Sequence, residues 1–67
     1  MLYNLQKLRK KHGYTQRDMA NLLGLKTISA YCKKERGYCS FSVEEAKKIS
    51  DYLGLSIDEI FFEDKLS

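Results

Sequence analysis

Apolar residues recur along this chain at three- and four-residue intervals, the spacing of a single helix face, and four glycines interrupt them. The period predicts five helices, over about 2–12, 15–23, 27–36, 43–53 and 56–62. Leu5 and Leu8 face inward from the first, Met19, Ala20 and Leu23 from the second, and Tyr31 from the third. Ala46, Ile49 and Leu53 do so from the fourth, and Ile57, Ile60 and Phe61 from the fifth. No stretch sustains strict apolar–polar alternation, so no substantial strand is expected. Gly13, Gly24, Gly37 and Gly54 each follow a periodic stretch, where glycine stops a helix by taking the left-handed backbone conformation.

The start signals agree with these stops. Thr15, Ser42 and Ser56 each stand three positions before an acid, namely Asp18, Glu45 and Glu59. The Ser–Glu pairs predict capping boxes and the Thr–Asp pair a weaker relative. An apolar residue precedes each cap and can staple onto the fourth helical position, pairing Tyr14 with Met19, Phe41 with Ala46 and Leu55 with Ile60. A cap contributes about 1 kcal/mol. That share is large in a 67-residue chain, which buries only about 60% of its unfolded surface. The length predicts one domain, spanning 1–67.

Charge divides the chain unevenly. Residues 1–40 hold nine Lys/Arg against two Asp/Glu, whereas residues 41–67 hold three against seven. A basic half beside an acidic half points to a polyanionic partner for the first. The two cysteines, Cys32 and Cys39, and the single His12 are too few for a structural zinc site. Their spacing fits two reduced thiols rather than a disulfide framework. No apolar run approaches the roughly 20 residues that span a bilayer, and the N-terminus lacks the pattern of a secretory signal. A soluble cytoplasmic protein without metal or cofactor is expected.

Residues 14–37 read YTQRDMANLLGLKTISAYCKKERG. Two short helices with Gly24 at the bend are the layout of a helix-turn-helix, predicted at about 15–36, whose second helix can lie in the major groove of DNA. Ala20 is small enough for the third helix to approach closely. Thr15 caps the second helix and leaves the Gln16 amide and free backbone N–H groups for a phosphate, with Arg17 beside them. Thr27, the expected cap of the third helix, has no acid three residues on, which keeps the positive helix end open to an anion. With Tyr31 inward, Thr27, Ile28, Ser29, Cys32 and Lys33 fall on or near the outward face. Thr27, Ser29 and Lys33 can hydrogen-bond bases or phosphates. Ile28 reads either as a thymine-methyl contact or as a residue buried beneath the first helix, and Cys32 as a methyl contact or a half-buried filler. Lys26 precedes the cap. Lys33, Lys34, Arg36 and Tyr38 crowd the end of the third helix, as a phosphate clamp or as ordinary cations at a negative helix end. Some of Lys7, Arg9, Lys10 and Lys11 extend the basic surface and the others are simply solvated.

These residues resemble the Cro and phage-repressor (XRE-type) helix-turn-helix family. The resemblance rests on T-Q-x-x-x-A-x-x-x-G at Thr15, Gln16, Ala20 and Gly24, on Leu8-Arg9 before it, and on E-x-G at Glu35–Gly37. The run S-x-x-E-A-x-x-I from Ser42 to Ile49 and the closing S-x-D-E-I-F of Ser56 to Phe61 extend it over about 3–62. It implies an all-α, compact five-helix bundle of the lambda-repressor-like DNA-binding type. It also implies a homodimer on near-palindromic operator DNA, with Gln16 on phosphate and base contacts from Thr27–Lys33. The K-K-E-R-G and C-terminal I-F-F segments look most like short phage or prophage repressors of low-GC Gram-positive bacteria. The stretch from Gly24 to Glu35 is one residue longer than the commonest form, which shifts the third helix's register by up to one. Phe41 stands where proline is common.

The leading expectation is a sequence-specific regulator of transcription, acting as a repressor by operator occupancy at the nucleoid. The alternative is a protein-interaction module, antitoxin-like or an adaptor, that keeps the fold. Phe62 and Leu66 are the expected dimer contacts. No nucleophile–base pair, carboxylate pair, Gly-rich phosphate loop or metal cluster points to an enzyme or to a small-molecule substrate.

Overall fold

The computed structural model describes residues 2–61. Five helices follow one another: α1 Tyr3–Lys11, α2 Gln16–Leu22, α3 Ile28–Glu35, α4 Val43–Leu53 and α5 Ile57–Phe61. No strand occurs among the described residues. The helices therefore lie where the apolar period places them, shorter by about one residue wherever the expected span included a cap. Leu5, Met19, Ala20, Leu23, Tyr31, Ile49, Leu53 and Ile60 form one buried cluster. Leu8, Phe41 and Phe61 pack half-buried against its edge. The most extensive helix contact joins α2 to α3, while α5 closes the bundle by touching α1 and α4.

Caps define the ends. Thr15 and Ser42 accept from the N–H groups of Asp18 and Glu45 and receive the acid's oxygen on their own N–H, so both boxes are complete. Ser56 and Glu59 exchange the same pair of bonds, both 3.1 Å. Aspartate thus closes a full box at Thr15, where a weaker version was expected. At the far end of α2, the Leu25 N–H reaches back to the Ala20 carbonyl at 2.9 Å and the Gly24 N–H to the Asn21 carbonyl at 3.2 Å. This pair of hydrogen bonds is the Schellman closure. Gly24 makes it possible by holding φ at +71°, a region that a Cβ disfavours. α1 and α3 close in the same way, through Tyr14 to Arg9 and Tyr38 to Lys33.

Phe41 occupies the aromatic junction of the bundle. Its ring lies 6.2 Å from Tyr31 and 5.4 Å from Phe61, both tilted, the edge-to-face arrangement that aromatic quadrupoles favour. Above it sits the Lys34 ammonium, 5.9 Å from the ring centroid. The same ammonium donates to Glu45 Oε1 at 3.1 Å and to the Ser40 carbonyl at 2.9 Å. Partial burial opposes ionisation of Glu45, but the Ser42 N–H and the Lys34 ammonium outweigh it and hold the carboxyl below the usual range. A lowered folded pKa means that Glu45 contributes its full stabilisation above the ordinary carboxylate range and loses it as pH falls through the lowered value. Lys34→Met should therefore flatten the acid limb of the stability-versus-pH curve. A variant whose acid limb superimposes on the parent's contradicts this role.

Candidate nucleic-acid interface

The sequence places α3 opposite α2 by burying Tyr31 and Glu35, one turn apart. Glu35 is 1% exposed and Arg9 6%, and the two form a fork. Arg9 Nε donates to Glu35 Oε2 at 2.9 Å and Nη2 to Oε1 at 3.3 Å. Arg9 Nη1 donates to the Tyr14 carbonyl at 2.9 Å. Gln16 Nε2 also reaches Glu35 Oε1, at 3.4 Å, and the Leu2 N–H donates to the Glu35 backbone carbonyl at 2.9 Å. One carboxylate thus ties α1, the start of α2 and the end of α3 together. A planar guanidinium against a carboxylate fixes direction as well as distance. The orientation of α3 relative to the start of α2 is set here.

This arrangement corrects the reading of Arg9 as a surface charge, whether part of the basic face or simply solvated. Arg9 follows Leu5 by one helical turn and Glu35 follows Tyr31 by one turn, so both charges fall on inward stripes. Two opposite charges on inward stripes were the available sign that they meet. It also changes the account of Gln16. One N–H of its amide is held by Glu35, and only the second remains to donate outward. Lys34 leaves the group of candidate phosphate contacts, since Glu45 and Ser40 engage it.

Tyr31 is fully buried beside this network, and its hydroxyl lies near the Glu35 carboxylate and the Arg9 guanidinium without a hydrogen bond of ordinary geometry among the described residues. Burial pushes the phenol well above its ordinary pKa, and the neighbouring Glu35 carboxylate adds to the shift. An unpartnered buried hydroxyl costs about 1–3 kcal/mol. Tyr31→Phe should therefore hold or raise stability, by up to about 1 kcal/mol in a urea titration. A loss larger than that contradicts an unbonded hydroxyl.

The outward side of α3 is different in kind. The Thr27 hydroxyl accepts from the Ala30 N–H at 3.1 Å, and the first turn holds no acid. Thr27 is therefore the cap of α3. Ser29, Lys33, Arg36, Lys26 and Arg17 are exposed, and none of these cations has an ion pair among the described residues. Ile28 is 37% exposed and Tyr38 77%, so Ile28 is not a core residue. Cys32 is half-buried and Cys39 exposed, both as free thiols. At the start of α2, Asp18 takes the Thr15 N–H and Thr15 takes that of Asp18. The N–H groups of Gln16 and Arg17 remain ahead of them. Phe62 and Leu66 lie outside the described residues. No helix among the described residues is long and apolar enough to cross a membrane.

The profile of the helix-turn-helix family matches residues 5–60. No curated protein and no solved structure matches the chain.

Proposed function

The chain belongs to the XRE- and Cro-type helix-turn-helix family of DNA-binding regulators, and on that premise we propose that it is a repressor that occupies a near-palindromic operator as a homodimer. The observation that carries this reading is the exposed, acid-free outer side of α3, where Lys33 has no ion pair among the described residues. It is held at a defined angle to the start of α2 by the Arg9–Glu35 fork. Ser29 and Lys33 face base edges, with Thr27 and Ile28 at the leading end of the helix. Gln16, Arg17, Lys26, Arg36 and Tyr38 grip the flanking phosphates, which fix register without reading sequence. Polymerase is excluded while the site is filled. In a two-fold dimer the two α3 helices sit about 34 Å apart, and Phe62 with Leu66 supplies the contact between copies.

Selection of bound sequences from random duplex DNA tests the reading. It should return a motif with two inverted half-sites centred about 10 base pairs apart. A dimer that neutralises about six to ten phosphates should show a log affinity versus log salt slope of about −5 to −9. A pool that stays random after selection, with all binding lost at physiological salt, overturns it.

A further inference from the structure

The side chains that α3 offers to solvent restrict which bases it can read; this inference rests on the reading that α3 meets DNA. Bidentate recognition of adenine needs Asn or Gln, and the cytosine amino group needs Asp or Glu as acceptor. Neither type is available on α3. The helix contains no amide side chain, and its one acid, Glu35, is buried and bound by Arg9. Three exposed side chains remain: Ile28, Ser29 and Lys33. Ile28 cannot hydrogen-bond through its side chain, so its complement on a major-groove floor is the thymine C5-methyl group. Lys33 is a donor only and complements guanine O6 and N7. Ile28 and Lys33 lie on either side of Ser29 around the helix axis. They are about 7.5 Å apart along it, which is about two base steps of 3.4 Å.

We infer that each half-site carries a thymine whose methyl group packs on Ile28 and a guanine whose O6 and N7 receive Lys33, within about two to three base pairs of each other. Sequence preference at the first position is then apolar and at the second cationic. On the exposed side of α3 only the Ser29 hydroxyl can meet adenine or cytosine directly, through a single hydrogen bond; otherwise they are read through their partners on the opposite strand.

Atomic substitution in the selected duplex tests this. Each thymine is replaced in turn by deoxyuridine, which lacks the methyl, and each guanine by 7-deazaguanine, which lacks the N7 acceptor. Affinities are measured for the parent protein, Ile28→Ala and Lys33→Ala at one salt concentration. One thymine per half-site should show a loss of about fourfold on demethylation, the effect of one buried methyl-sized group. That loss should vanish in Ile28→Ala. One guanine nearby should show at least about a fivefold loss, which vanishes in Lys33→Ala. Losses that persist unchanged in the two variants overturn the assignment while leaving specific binding in place. Absence of sequence preference in the parent protein defeats the operator reading itself and this assignment with it.

Discussion

Glu35→Ala is expected to remove most of the protein's stability at 25 °C. The carboxylate is 1% exposed and receives two bonds from Arg9 and one from Gln16. Removing it strands a guanidinium that is itself 6% exposed. Breaking one side of a buried pair costs about 3–5 kcal/mol, and a small domain holds only about 5 kcal/mol in all. Circular dichroism with a urea titration reads the result directly. The double variant Arg9→Met with Glu35→Leu separates charge burial from packing, since an apolar pair of similar volume often matches a buried ion pair. It should regain most of the lost stability. A double variant as unstable as the single one indicates that the pair's geometry, not its charge balance, holds α1 and α3 in place.

Lys33→Glu is expected to abolish specific DNA binding while sparing the fold. Lys33 is exposed and without an ion pair among the described residues, so its replacement should change stability by no more than about 0.5 kcal/mol. Loss of a base contact alone weakens affinity by about 1–3 kcal/mol, or roughly fivefold to 150-fold, and a carboxylate facing phosphate adds repulsion. A drop in specific affinity of a hundredfold or more, at an unchanged melting temperature, is the expected pair of readings. Unaltered operator affinity removes the outer side of α3 from the interface.

What was legible in the sequence was local. A cap, its acid three positions on and a glycine past the helix end act within a few residues, so Thr15–Asp18, Ser42–Glu45 and Ser56–Glu59 announced their helices. The inward stripes followed from the same 3.6-residue period. Contacts between distant residues were harder to see. Arg9 and Glu35 are 26 positions apart, and each alone resembles a solvated charge. Only the place of each one turn beyond an inward apolar residue marks it. Lys34 had the appearance of a cation at a helix end, because the fold of residues 37–42 that brings Glu45 beneath it has no periodic signature. The register of α3 required the Thr27 cap to be seen bonded to Ala30, since Lys26 and Thr27 both stand near the start of the helix. Phe41 gains its reason from the rings of Tyr31 and Phe61 on either side.

Backbone amide shifts measured while the selected duplex is titrated into isotope-labelled protein show directly which residues meet DNA. The largest changes should fall at Thr15–Arg17, Lys26–Ser29, Lys33, Arg36 and Tyr38, with α4 and α5 little affected outside a dimer contact. Changes concentrated on the outer residues of α4, with α3 unmoved, would contradict an interface on α3.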